Sequence, residues 1–414
     1  MSLILVVLLS FLTYYYMNAP ISDNAFNRLS TKINIYYNDW FESNKTPENE
    51  LKNVLLVNIS NDKELVMVKE RLLPKGEIAI TDRAKLAQFL LKLQNNHKYV
   101  FCDIIFDEKY KSPNDSLLQL AFNKTQRIII PAPTLNDSTT PPLFDVKSGT
   151  SHYKTSLESN RFMKYTFSES NFQKSVPLTM YNDIYEKDIV KRRFGYFSDD
   201  KLCLNSIVLN YKIRLVKKYN EETNNLQILE LGADVLDGGQ DEGQFEQLVK
   251  DKIILIGDFE DRDQHRTIYG EMPGVLISYN AFLALRDNDH IFPLSLLLVL
   301  ICVYLIFSTA MFFGWDKKIL SGTSRLSLRH IKHRKGLNDY LLLLPKMDVL
   351  RLFIDAGKYF VLLSILSIFI FLVYGIYLDL LAMVFIFTLI NEIRNWIFEF
   401  HKNIKESKQL INEE

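Results

Sequence analysis

Three carboxylates sit where an α/β sheet would gather them. Asp103 lies within a very apolar run, YVFCDIIF (99–106), while Asp62 and Asp258 lie at or just past the ends of two others, VLLVNIS (54–60) and KIILIGD (252–258). In an open parallel sheet the carboxyl ends of the strands converge on one edge, and ligands bind there. Arg83, in the first turn of a helix, could reach that edge and clamp a carboxylate through two parallel hydrogen bonds. Asp62, Arg83, Asp103 and Asp258 therefore form a candidate pocket for a polar ligand or a metal ion. The competing reading is an internal ion pair, Arg83 to Asp103, that fixes strand against helix. We favour the pair, because an uncompensated Arg in a first helical turn opposes the helix dipole.

A second cluster follows the Gly257-Asp258 turn: Asp261, Asp263, His265 and Thr267. Alternating Asp-x-Asp-x-His could hold a cation from one face. A polar loop tied down by its own Asp and Thr hydrogen bonds is the preferred reading. Met272-Pro273-Gly274 reads as a turn that opens a helix and carries no chemistry. Catalytic signatures are missing: no Gly-x-Ser-x-Gly, His-Glu-x-x-His, phosphate-binding loop or paired-cysteine metal motif occurs. The seven His residues have no ligand spacing. The expectation is a chain without enzymatic activity, resident metal or cofactor.

These residues need a scaffold. Val54–Ser60, Tyr99–Phe106, Arg127–Pro131 and Lys252–Asp258 read as buried parallel strands, short and β-branched. Between them lie helical patterns: one capped by Thr81 and running to Asn95, one opened by Asp115, one following Pro273-Gly274. Strand-helix alternation predicts an α/β fold with a mostly parallel, doubly wound sheet. The stretch from about Leu135 to Arg193, rich in Thr, Ser, Asn, Pro and aromatics, reads as an inserted lobe of hairpins and loops, where binding specificity is commonly placed.

Lys plus Arg and Asp plus Glu number 49 each, so no nucleic-acid bias shows. Of three cysteines, Cys302 lies in a hydrophobic run, Cys102 reads as a buried thiol and Cys203 sits near the start of a helical stretch. A Cys102–Cys203 disulfide is conceivable outside the cytoplasm, but unbonded thiols are the preferred reading.

Apolar residues concentrate at the two ends of the chain. Residues 3–17 read as a spanning helix with a Tyr14-Tyr15-Tyr16 belt, a cleaved signal being the alternative; either one exports the domain behind it. Residues 294–313 and 359–378 carry no charge, and 380–398 is apolar until Asn391, Glu392 and Arg394, which read equally as a partner-helix contact or a snorkelling helix end. The segment 315–358 between two of these runs holds ten Lys or Arg against four acids, which keeps it cytoplasmic and sets it against anionic lipid. The expected layout is a transmembrane helix at 1–17, an extracytoplasmic domain at 18–291, transmembrane helices at 292–314, 359–378 and 380–398 flanking the basic loop 315–358, and a cytoplasmic tail at 399–414.

Three blocks of residues carry a resemblance. VLLVNISNDKEL, then Thr81-Asp82-Arg83 with FCDIIFDE and PNDSLLQLAF, then KIILIGDFEDRDQHRTIYGEMPGVLISYNAFLALR resemble the second type of CHASE domain, an extracellular sensory module of bacterial signalling receptors. The likeness covers about 20–291. It implies functional positions at Asp62, Arg83, Asp103, Asp115, Asp258, Asp263, His265, Thr267, Pro273 and Gly274. Family members often continue into an output domain, whereas 16 residues follow Phe398 here. The resemblance thus implies a sensor subunit in the bacterial cytoplasmic membrane, with an extracytoplasmic ligand or protein partner and a separate cytoplasmic effector; a homodimer is plausible. Rival expectations are a structural or assembly subunit of an envelope complex and an anchored, exported hydrolase.

Overall fold

The computed structural model describes residues 2–18, 48–68, 76–312 and 363–376, apart from 136–137, 140–141, 152–161, 163, 169–172, 215–227, 239–240, 261, 268, 371 and 375. The chain divides into two units, Asp39–Ile291 and the terminal segments Met1–Asn38 with Phe292–Glu414.

The terminal unit contributes helix α1 (Ser2–Asn18). In the central unit the chain runs through β1 (Val54–Asn58), the hairpin β2 (Lys63–Val68) and β3 (Gly76–Thr81), α2 (Arg83–Lys92), β4 (Tyr99–Cys102), α3 (Asp115–Lys124), β5 (Ile128–Ala132), β6 (Ser148–Thr150), β7 (Lys164–Thr166) and α4 (Val176–Tyr185). It continues through β8 (Ser206–Val208), β9 (Ile228–Glu230), α5 (Glu242–Val249), β10 (Ile253–Gly257), the hairpin β11 (Gln264–Thr267) and β12 (Gly270–Pro273), and α6 (Gly274–Arg286). The terminal unit resumes with α7 (Leu294–Phe312).

Six strands form one sheet in the order β9-β1-β10-β4-β5-β6, and every neighbouring pair is parallel. The last strand of this sheet in chain order, β10, lies between its first, β1, and its second, β4. Its register sets Asn58 beside Gly257 and Cys102 beside Ile256. A parallel sheet is covered on both faces, so its strands are unbroken apolar runs, and every residue of β1, β4, β5 and β10 is buried. Leu55, Val57, Val100, Cys102, Ile254 and Ile256 meet Leu86 and Phe89 of α2, Leu118 and Phe122 of α3 and Phe245 of α5 in one core. The alternate residues Leu56, Phe101 and Leu255 are as deeply buried and belong to the opposite face. There α6 packs on β10, and α4 packs on α6.

Helix α6 is interior along most of its length: Val275 to Leu285 are all buried, as befits a helix apolar on every side. Its one buried amide is fully used. Asn280 Oδ1 accepts from the Lys212 and Ile213 N–H groups at 2.8 and 3.0 Å, and Nδ2 donates to the carbonyls of Ile213 and Leu276 at 2.9 and 2.8 Å.

The four expected strands are present, three of them shorter and that at Ile128–Ala132 shifted by one residue. The run from Tyr99 leaves the sheet after Cys102, so Asp103 stands at a strand end instead of within a strand. The cap of α2 is Asp82, whose side chain accepts from Lys85 N at 3.0 Å; Thr81 is occupied in the β2–β3 ladder opposite Lys63. The described residues of the 135–193 stretch include short hairpin strands at its two ends and regular elements between them. The stretch supplies β6, an edge strand of the main sheet, and α4, which Ser175 caps with Pro177 in its first turn. Cys203 ends a strand, Lys201–Cys203, instead of starting a helix, and Cys102 and Cys203 are both buried and not joined in a disulfide.

In the terminal unit, Val6, Leu9, Thr13 and Met17 of α1 are buried, as are Leu296, Leu300 and Tyr304 of α7. This three-or-four spacing marks one face of each helix, and the two helices pack together, with the Thr13 and Tyr304 hydroxyls 2.5 Å apart. At 1.5 Å per residue, helices of 17 and 19 residues rise about 25 and 28 Å. A bilayer's hydrocarbon core is about 30 Å thick, and among the described residues no helix is long and apolar enough to cross a membrane. The basic loop 315–358, the segment 380–398 with Asn391, Glu392 and Arg394, and the tail lie outside the described residues.

Gly149 in β6 is held where α4 begins. A Cβ there would stand 2.8 Å from the Val176 backbone nitrogen and 2.9 Å from its Cα, whereas one on Gly243 in α5 would meet nothing within 4 Å. Gly149→Ala is expected to destabilise the fold by about 1–3 kcal/mol, and Gly243→Ala to be neutral or up to about 1 kcal/mol stabilising. Urea denaturation of the two variants measures both; equal effects would contradict the close approach of β6 and α4.

Candidate functional site

A cavity of about 560 Å³ opens at the carboxyl ends of β1, β10 and β4, the three central strands of the sheet. Each strand delivers a residue to its lining as it leaves the sheet: Ile59 after β1, Asp258 after β10 and Asp103 after β4. The strand ends are laced together by side chains. Asn58 Oδ1 accepts from the backbone N–H groups of Ser60 and Phe259 at 3.1 and 3.2 Å. Its Nδ2 donates to Glu230 Oε1 at 2.8 Å, joining β9 to β1. The Ser60 hydroxyl lies 2.6 Å from both Asn58 Oδ1 and Asp258 Oδ1, with one proton between them, and Asp258 Oδ1 also accepts from Glu260 N at 3.0 Å.

Asp263 and His265 reach the same cavity from the β11–β12 hairpin. The stretch foreseen as a self-bonded polar loop is thus partly a hairpin, and its internal bonds are present. Asp263 Oδ1 is 2.9 Å from His265 Nε2, and Thr267 Oγ1 donates to the Gly270 carbonyl at 2.8 Å. Asp263 Oδ2 accepts from Gly274 N at 3.1 Å, placing a carboxylate at the positive end of α6. A Cβ on Gly274 would stand 2.5 Å from that oxygen, so the Pro-Gly opening of α6 makes room for the cap. Among the described residues no group of three or more His, Cys, Asp or Glu side chains is arranged to hold a metal ion; Asp261 lies outside them.

Asp103 differs from its neighbours. Among the described residues its carboxyl accepts no hydrogen bond; its backbone N–H donates to Ile256 O at 2.8 Å. Burial first, and the Asp263 charge second, push its pKa well above the usual carboxylate range. Tyr165 of β7 lines the cavity too; burial raises its phenol pKa, and its hydroxyl bonds Ser278 of α6 and Ser175. Lys63, at the start of β2, is the single Lys or Arg on the described lining; burial lowers its pKa while the Asp258 charge raises it.

The remaining sequence candidates lie elsewhere. Asp62 is buried and binds Lys85 Nζ at 2.7 Å and Gly232 N at 3.0 Å, pinning α2 to the segment after β9. Arg83 does form an internal ion pair, but with Asp115 rather than Asp103. Its guanidinium also donates to the Tyr110 carbonyl and lies over the rings of Phe106 and Phe144, 5.7 and 5.6 Å from their centroids. Asp115 Oδ2 accepts from Ser112 N at 3.1 Å. The pair joins the first turns of α2 and α3, and Arg83 is buried to the point that desolvation lowers its pKa. Lys63, Tyr165 and Ser278 were missed as site residues. Ser278 carried a signal, as a polar residue inside an otherwise apolar helix.

Removing one partner of a buried ion pair leaves the other uncompensated, at a cost of about 3–5 kcal/mol. Asp115→Asn is therefore expected to lower the unfolding free energy by that order; a loss below about 1 kcal/mol would contradict a structural role for the pair. Asp103 has the opposite sign. Its native pKa is raised, so between the unfolded value near 3.9 and the native value the folded chain binds the proton more tightly. Stability falls as pH rises through that interval. Asp103→Asn should remove the fall and be the more stable protein at pH 7, as thermal denaturation from pH 4 to 8 would record; superimposable profiles would refute it.

A family model for the CHASE2 domain matches residues 3–311. No curated protein and no solved structure matches the chain. The match takes in the whole parallel sheet, the cavity at its edge and helices α1 and α7, and on it the chain belongs to the CHASE2 domain family of sensory domains.

Proposed function

We propose that the chain is a membrane-anchored sensor subunit whose central unit lies outside the cytoplasmic membrane and takes its ligand in the sheet-edge cavity. It performs no catalysis of its own and passes its state to a separate cytoplasmic effector. The observation that carries this reading is the cavity itself, formed at the carboxyl ends of three parallel strands in a member of a sensory family, the place where open α/β sheets bind ligands. Gly274, Ile277 and Ser278 line it from the first turns of α6. Helix α6 ends at Arg286 and α7 begins at Leu294. A ligand that shifts the start of α6 moves a helix buried from Val275 to Leu285, whose far end is a few residues from α7. Coupling of this kind requires ligand affinity to differ between two states.

Two features support the membrane anchor. Val7 and Phe11 of α1 and Leu298 and Ile306 of α7 are exposed at 63, 57, 55 and 69 %, a costly arrangement in water and a neutral one in lipid. The excess of cations in 315–358 holds that segment in the cytoplasm. Single cysteines at positions 200 and 330 test the topology. In intact cells an impermeant maleimide should label position 200 and reach position 330 only after permeabilisation. The reverse pattern would overturn the orientation and the sensor with it.

A further inference from the structure

We propose that the sheet-edge cavity binds a small organic cation, an alkylammonium or guanidinium compound, with its charged head against Asp103 between Tyr165 and Asp263 and its hydrocarbon body along the isoleucine wall. This rests on the reading of the cavity as the ligand site. The cavity holds an unmet electrostatic demand. Three carboxylates line it against one Lys, for which Asp258 supplies the principal opposing charge. Asp258 is bonded by Ser60 and Glu260 N, and Asp263 by His265 and Gly274 N. Asp103 alone of the three receives no donor from the described protein, although it is half-buried at the cavity and faces a second carboxylate. A carboxylate in that position either keeps a proton or receives a cation.

The walls discriminate among cations. A hard metal ion wants six or more oxygens at short range, and no such group exists among the described residues. Ile59, Ile104 and Ile277 supply apolar surface that a hydrated metal cannot use, whereas a short alkyl chain can. Tyr165 lines the cavity as well, and an aromatic face within about 6 Å of a cation attracts it. The volume, about 560 Å³, lies within the usual range for small-molecule sites. Since the incoming charge favours the ionised form of Asp103, binding releases a proton, and affinity rises with pH until Asp103 is already ionised.

The test is calorimetry on the full chain in nanodiscs, titrating putrescine and arginine as cations, succinate as the anion and glycerol as the neutral control. Buffers of differing ionisation enthalpy report proton transfer. Expected is binding of at least one cation with proton release, weakened roughly 10- to 100-fold by Asp103→Asn through loss of one charge-assisted contact. The same binding should be abolished when Ile277→Trp fills the cavity and unchanged in the distant Gly243→Ala. Succinate or glycerol binding that Ile277→Trp removes, with neither cation bound, overturns the cation class while the cavity stands as a ligand site. Cation binding that survives both Asp103→Asn and Ile277→Trp lies elsewhere and removes the cavity as a ligand site. Silence from both cations at millimolar concentration also overturns the class.

Discussion

The constraint on which the structure depends is the parallel alignment of six strands, with the last of them in chain order inserted between the first two. Parallel strands place all their carboxyl ends on one edge, and this insertion puts β1, β10 and β4 side by side at its centre. Three chain segments far apart in sequence therefore leave the sheet at one point, and the residues they leave with, Ile59, Asp258 and Asp103, face a common space. Hydrophobic burial on both faces keeps the strands in register. The chemistry at the edge is a consequence of that register and needs no separate device to assemble it.

The acidic residues near this edge divide into those the fold uses and one that it does not. Asp115 neutralises Arg83 and joins two helix starts. Asp62 joins α2 to the segment after β9. Asp263 caps α6 and orients His265, and Asp258 is tied into the Asn58–Ser60 lacing. Their negative charge is offset by cations, helix dipoles or backbone N–H groups. Among the described residues Asp103 has none of these, and burial raises its pKa. An unfavourable interaction that persists at a strand end beside a cavity is the usual sign of a group kept for binding, since a purely structural position would be relieved by Asn or Ser.

Much of the scaffold was legible in the sequence because buried parallel strands are the simplest signal a sequence carries. VLLVN, YVFC and IILIG are unbroken apolar runs, and α3 and α6 announce themselves through Asp115 and Pro273-Gly274. The edge strands β6 (SGT) and β9 (ILE) were not legible, being three residues of ordinary composition. Helix α4 was hidden by the polar, aromatic character of its neighbourhood, although Ser175 and Pro177 are a helix start signal. Asp103 and Asp258 share the cavity as the strand-end rule implied, and Asp263 and His265 join them from a stretch read separately as a self-bonded polar loop; Asp62, Arg83 and Asp115 hold elements together instead. Pairing Arg83 with the right acid required knowing where α3 sits on the sheet, which local spacing does not encode. Tyr165 comes to the site from a different small sheet, so nothing local in its sequence marks it.

The central claim is that burial and the neighbouring Asp263 charge make Asp103 hold its proton more tightly than an ordinary carboxylate, and that a ligand takes the place of that proton. Isotope-edited infrared spectroscopy of the full chain, with Asp103→Asn as the reference, reads this directly. In a pH titration the account predicts that the protonated-carboxyl band assignable to Asp103 persists to higher pH than those of ordinary carboxylates and vanishes at lower pH when a bound organic cation fills the cavity. An Asp103 band that disappears together with the ordinary carboxyl bands, unmoved by any ligand that binds the cavity, would contradict it.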